Sequence, residues 1–145
     1  MKSLKSFKNK DNTVAIFDYQ DPFFIEDSYT EEEKLIRDNT RNFAKKELFP
    51  KILEANRYEK YDKNLFTKLG SLGLLGAQIK GYGCSGVTSV AYGLIAKEIE
   101  AVDSSYRSSF SVQSSLVMQP IFDYGNEMQK QKYLPKLASG QLIGC

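Results

Sequence analysis

From Thr30 to Gly140 the apolar residues return at helical spacing in several runs, and this recurrence most limits the folds open to the chain. Leu35, Ile36, Phe43, Ala44 and Leu48 form one such face, interrupted at Asn39 and Thr40. Thr30 and Glu33 have capping-box spacing, in which a hydroxyl and a carboxylate each satisfy an orphan backbone N–H. Glu31, Glu32 and Glu33 suit the positive end of that helix dipole, and Lys45 and Lys46 suit the other end. Pro50 is expected to close or redirect the helix, because it lacks an N–H and its ring crowds the preceding turn. A second helical stretch runs from about Asp62 with Leu65, Phe66, Leu69 and Leu72 on one face, and Gly70 and Gly73 mark its end. A third covers Val87–Val102, with Val90, Ala91, Leu94, Ile95, Ile99 and Val102 together. The last starts at Asn126, an N-cap residue with Gln129 at the box position, and runs to Gly140; Pro135 is expected to interrupt it.

Two segments do not declare themselves. Within Ser104–Tyr124, Tyr106, Phe110, Gln113, Val117 and Ile121 fit a helix, while Tyr106, Phe110, Val112, Leu116 and Met118 fit the alternation of a strand. The connection Gly70–Gly86 holds six Gly and leaves room for a short strand at Leu74–Ile79. Its Gly81-Tyr82-Gly83-Cys84-Ser85-Gly86 has the spacing of a dinucleotide fingerprint, with an acid at Asp103 near the distance of a ribose-binding carboxylate. The helix through Val102 leaves no room for the second strand that should present that acid. A loop whose glycines take positive φ is the stronger reading.

Composition removes other classes. A hydrophobic content of 41% beside 26% charged residues fits a globular domain, and no apolar stretch approaches the roughly 20 residues of a membrane span. Net charge is +2 with acids and bases interspersed, so no basic face for nucleic acid is expected. His is absent, which excludes Ser-His and Cys-His nucleophile pairs and the common zinc sites. Cys84 and Cys145 make no disulfide framework, a pattern that fits a reducing compartment, and Cys84 reads as structural. Residues 1–29 read as an N-terminal arm. Met1–Lys10 carries Lys without Arg, so a solvated tail suits it better than an organellar address.

Six stretches resemble the glutaryl-CoA dehydrogenases of the acyl-CoA dehydrogenase family: Phe17–Pro22 (FDYQDP), Leu53–Arg57 (LEANR), Ile79–Gly86 (IKGYGCSG), Val90–Leu94 (VAYGL), Val102–Ser108 (VDSSYRS) and Ser111–Met118 (SVQSSLVM). Two more, Gln131–Leu137 (QKYLPKL) and Ala138–Cys145 (ASGQLIGC), resemble the general acyl-CoA dehydrogenase pattern leading into the middle β domain. The resemblance implies an all-α fold: a helical N-terminal domain over 30–140, with 141–145 as the first residues of a middle β domain. It implies that Ser104–Tyr124 is helix beside the acyl pocket and that the Gly81–Gly86 loop holds no dinucleotide. It further implies FAD in the full-length enzyme, bound mainly by later domains, an acyl-CoA substrate, an electron-transfer flavoprotein as partner and a homotetramer. The family's Thr-Glu…Gly-Ser-Asp signature is expected just beyond Cys145 and its catalytic Glu in the C-terminal domain, so no Glu here is assigned that role. The compartment implied is cytoplasm in a bacterium or mitochondrial matrix in a eukaryote.

Arg107 and Ser111 are the candidate substrate-binding residues. Spaced i, i+4 on a helix they share a face, and a guanidinium presents a planar fork that matches a carboxylate. Without the resemblance, an Arg beside Tyr and Ser is more often part of an ion pair. With it, Arg107 and Ser111, aided by Ser108, recognise the distal carboxylate of a glutaryl thioester. Gln113, Ser114 and Ser115 either reach the acyl cavity or bond to nearby backbone. The alternatives are a dehydrogenase for another short-chain acyl-CoA and a non-catalytic helical interaction module.

Overall fold

The computed structural model describes residues 18, 19 and 21–144. Met1–Phe17, Gln20 and Cys145 lie outside the described residues, and with them the Lys-rich start, parts of the FDYQDP stretch and the last residue of the expected 141–145 segment. The described residues form two units, one ending at Thr30 and one beginning at Glu31. In the first, the Asp21 carboxylate accepts from the N–H groups of Ile25 (2.9 Å) and Glu26 (3.0 Å). It thereby caps a single 3₁₀ turn, Ile25–Ser28.

The second unit is all-α, as the resemblance implies: helix accounts for 66% of the structure and strand for 3%. Its helices are α1 (Glu31–Phe43), α2 (Phe49–Arg57), α3 (Leu65–Ser71), α4 (Ser89–Glu100), α5 (Ser104–Ser111), α6 (Gln119–Tyr124) and α7 (Glu127–Ala138). Ser104–Tyr124 is helical throughout, so the strand alternation there is incidental. Thr88 caps α4 through the Ala91 N–H, and Asn126 and Gln129 close the expected capping box on α7.

Two prolines do not behave as their chemistry alone suggests. The chain passes Pro50 without breaking, because a π-turn at Ala44–Leu48 joins α1 to α2. A second π-turn, Val112–Met118, joins α5 to α6 just before Pro120. In each case the widened turn shifts bonding to i−5, as with the Phe49 N–H to the Ala44 carbonyl and the Gln119 N–H to the Ser114 carbonyl. A proline ring collides with the carbonyl four residues earlier in a regular helix; an extra residue in the preceding turn moves that carbonyl aside. Pro135 lies inside α7 without such a turn and does not interrupt it. The buried side chains of Leu134, Leu137 and Ala138 hold the helix on both sides of the ring.

The apolar face expected from Leu35 to Leu48 holds at Ile36 and Phe43, which pack against the core, and at Ala44 and Leu48, which lie in it; within α1 it fails at Leu35, and polar residues take the fully buried positions. Leu35 is exposed, and the buried positions are Glu33, Arg37 and Thr40. Arg37 donates to the Asp38 carboxylate (2.9 Å) and Thr40 to the Ile36 carbonyl (2.8 Å) within α1. Glu33 meets α4 at its start, where the Thr88 hydroxyl donates to Glu33 Oε1 (2.6 Å), and Arg41 meets it through Nε and Nη2, which donate to the two oxygens of Glu98 (2.9 and 2.8 Å). Burying these groups is tolerable because each finds a partner.

The expected strand at Leu74–Ile79 is instead a run of turns, because Gly73 and Gly76 take positive φ (68° and 59°) and end any extension. Leu74, Leu75, Ala77 and Ile79 are all buried in the core with Leu69, Ile95, Ile99, Phe110, Met118 and Leu134. The strands lie just after, as a two-residue antiparallel hairpin pairing β1 (Lys80–Gly81) with β2 (Cys84–Ser85).

Two backbones meet closely where α3 passes the residues just after α7. A β-carbon on Gly70 would lie 2.5 Å from Ser139 O, and one on Gly140 would lie 2.3 Å from Phe66 O. Gly140 also has φ +73°, which costs a side chain about 1–2 kcal/mol. Gly140→Ala should therefore lower stability by at least about 2 kcal/mol, read as a lower urea midpoint at unchanged m. A change below about 0.5 kcal/mol would mean that the two backbones are not in contact.

Candidate functional site

The sequence candidates sit at the start of the 104–124 helix. Asp103 is its N-cap, accepting from the backbone N–H (2.8 Å) and the hydroxyl of Ser105, which holds the Asp103 carboxyl below its ordinary pKa. Asp103 is thus a helix cap and not the ribose-binding acid of a dinucleotide fold. The fingerprint itself is the hairpin turn, with Tyr82 and Gly83 at φ +54° and +81° supplying the paired positive φ that a two-residue hairpin needs. A β-carbon on Gly81 or Gly83 would meet nothing within 4 Å, so it is the positive φ of the turn and not close packing that favours glycine there.

Arg107 and Ser111 come together as their spacing requires. Arg107 Nη1 donates to Ser111 Oγ at 3.3 Å, and Ser111 Oγ donates to the Ser108 carbonyl at 3.2 Å. Ser108 itself is exposed and contributes that carbonyl. Arg107 has a second partner that the sequence did not reveal: its Nε donates to Glu100 Oε2 at 2.5 Å. Glu100 ends α4 and is seven residues away, brought near by the tight turn at Ala101–Asp103. The Ser104 hydroxyl donates to the other Glu100 oxygen (2.6 Å). The Ser104 bond first, and the Arg107 bond second, hold the Glu100 carboxyl below the ordinary carboxylate range. The pair is open to solvent, with side-chain exposures of 38% for Arg107 and 41% for Glu100. Such a pair contributes little to stability and exchanges partners readily. The guanidinium is thus a member of an ion pair within the chain, the arrangement its residue type favours without the resemblance.

Further along the same helix lies a cleft of about 360 Å³, lined by Gly76, Gln78, Tyr92, Ser114, Ser115 and Gln119 among others. Tyr92 Oη and Ser115 Oγ share a hydrogen bond of 3.0 Å at its wall, and Ser114 Oγ accepts from the Gly76 N–H at 3.0 Å. Both serines line the cleft, Ser114 with its hydroxyl bonded to backbone and Ser115 with its hydroxyl bonded to Tyr92. Tyr92 was legible only as part of the VAYGL stretch. Cys84 is half-buried, and that burial pushes its thiol up to about 11, in keeping with a structural role.

Residues 30–141 match the model of the acyl-CoA dehydrogenase N-terminal domain. The glutaryl-CoA dehydrogenase of Mycobacterium smegmatis, solved in complex with FADH2, superposes with a TM-score of 0.81 at 39% identity, over 83% of this chain and 31% of that one. Butyryl-CoA dehydrogenase of Megasphaera elsdenii gives a TM-score of 0.73 at 31% identity, over 79% and 31%. Mitochondrial isovaleryl-CoA dehydrogenase of Pongo abelii is 37% identical over 121 residues, which are 80% of this chain and 28% of the relative. The chain belongs to the acyl-CoA dehydrogenase family, as its N-terminal helical domain. It spans under a third of the length of these relatives. Among the described residues, no helix is long and apolar enough to cross a membrane.

The Glu100 geometry has a measurable consequence. Arg107→Gln should raise the Glu100 pKa partway toward its ordinary value, followed by carbon NMR titration of the carboxyl, since the Ser104 bond remains. Because the folded pKa is depressed, this pair stabilises above the ordinary carboxylate pKa and the effect fades as pH falls through the folded value. No movement of the Glu100 titration would mean that the guanidinium is not bonded there.

Proposed function

We propose that the chain is the N-terminal domain of an FAD-dependent acyl-CoA dehydrogenase whose substrate carries a distal carboxylate, with glutaryl-CoA as that substrate. The observation that carries this reading is the Arg107 fork, whose Nη1 donates to Ser111 so that guanidinium and hydroxyl share one face of the helix. An incoming carboxylate takes up the guanidinium and the Ser111 hydroxyl, with Ser108 beside them, and Glu100 keeps the second partner it has in Ser104. On this reading FAD, which would be held mainly by other domains of the full-length protein, would supply the electron acceptor for α,β-oxidation. Decarboxylation of the resulting glutaconyl thioester then gives crotonyl-CoA and CO2, and an electron-transfer flavoprotein reoxidises the flavin of a homotetramer.

The contribution of Arg107 and Ser111 is specificity. A charge-assisted hydrogen bond contributes about 1.5–3 kcal/mol net. A site built around one also rejects analogues that leave its donors unpaired. A second reading, oxidation of another short-chain acyl-CoA, is favoured by the Glu100 contact itself: a guanidinium satisfied by its own protein needs no carboxylate from the substrate. The likeness to butyryl- and isovaleryl-CoA dehydrogenases supports it as well.

Substrate comparison separates the two. In the full-length protein, Arg107→Gln should lower kcat/KM for glutaryl-CoA by about tenfold or more while leaving butyryl-CoA turnover within about twofold. Equal losses on both substrates would overturn carboxylate recognition and favour the second reading.

A further inference from the structure

We propose that Gln113 is a positioning residue, whose buried amide fixes the direction in which the chain leaves the helical domain and so sets the exit segment in register with the Arg107–Ser111 fork. Gln113 is fully buried within the second π-turn. Its Nε2 donates to the carbonyls of Leu137 (3.1 Å) and Leu142 (2.9 Å), and its Oε1 accepts from the Gly144 N–H (3.0 Å). Two carbonyl acceptors and one N–H donor admit only one orientation of the amide, because a flipped group would set like against like at all three contacts.

The partners lie 24, 29 and 31 residues further on, spanning the end of α7 and the segment after it. That segment has little else to order it. Gln141, Leu142 and Ile143 are exposed, so burial of their side chains contributes little. The turn at Gly140 supplies a Leu142 N–H bond to the Lys136 carbonyl (3.0 Å), which ends the helix but leaves the chain beyond Leu142 undirected. Direction comes from Gln113 and from contact one turn along the same helix, where a β-carbon on Gly144 would lie 2.3 Å from Val117 Cγ1. Gln113 thus ties the exit segment to the helix that carries Arg107 and Ser111. The functional consequence rests on the proposed carboxylate recognition: if the fork holds one end of an acyl chain, the segment after Gly144 must start at a fixed distance from it.

Amide hydrogen exchange by NMR on the 145-residue chain tests this without flavin or thioester, and so independently of the substrate assignment. Gln113→Met keeps the side chain long and apolar while removing all three bonds. In the unsubstituted chain the Gly144 amide should exchange at least about tenfold more slowly than an unprotected amide. In Gln113→Met it should lose that protection, while the amides of Phe110 and Leu134 keep theirs. Unchanged Gly144 exchange in a variant with an intact core would overturn the proposal. If Gln113→Met does not fold, the unsubstituted chain decides. Slow exchange of Gly144 and of both Gln113 side-chain protons supports the tie, and exchange at unprotected rates overturns it.

Discussion

The fold depends on one close approach: α3 and the end of α7 meet backbone to backbone, at two positions that admit no side chain. Gly70 and Gly140 occupy them. The closeness lets Leu69 and Leu134 share one core with Phe110 and Met118, all with essentially no exposure. The same contact turns the chain at Gly140 and brings Leu142 and Gly144 back to the 104–124 helix. Core packing, helix termination and the path of the exit segment are thus consequences of the same two missing β-carbons.

Polar groups do as much organising as apolar ones. Two Arg–Glu pairs flank α4 and show how burial separates structural from exchangeable charge. Arg41 meets both oxygens of Glu98, whose side chain is 7% exposed, and taking Arg41 away would strand a buried carboxylate. Arg107 meets one oxygen of Glu100 where water reaches both groups, and Ser104 holds the other oxygen. The first pair fixes α1 against α4. The second leaves a guanidinium in place and able to change partners.

The sequence made the helical class, the caps at Asn126 and the shared face of Arg107 and Ser111 legible, because each is a local consequence of spacing. It was misleading where a long-range partner decides. Nothing local at Glu33 announces that it lies buried, since one of its partners, Thr88 at the start of α4, is 55 positions away, and Arg41 reaches 57 positions to Glu98. Glu100 was hidden for a smaller reason: the turn between two helices, not a helical repeat, places it beside Arg107. Leu74–Ile79 has the composition of a buried strand, yet two positive-φ glycines fold it into turns. The strand alternation in Ser104–Tyr124 and the glycine fingerprint were both settled by the family likeness, which sequence periodicity alone could not do.

The paired π-turns bear on how this chain tolerates change in length. Each turn holds one residue more than the regular spiral, and each precedes a proline that needs the extra room. Each proline therefore locks its surplus residue in place. Deleting one position within Val112–Met118 would restore the tighter spiral with Ile121 and Phe122 still in phase with Arg107, because the wide turn absorbs the surplus residue. It would, however, drive the Pro120 ring against the turn before it. What the surplus residue supplies in the 104–124 rod is thus clearance for a proline, at no change in which faces carry the fork and seat the rod on the core.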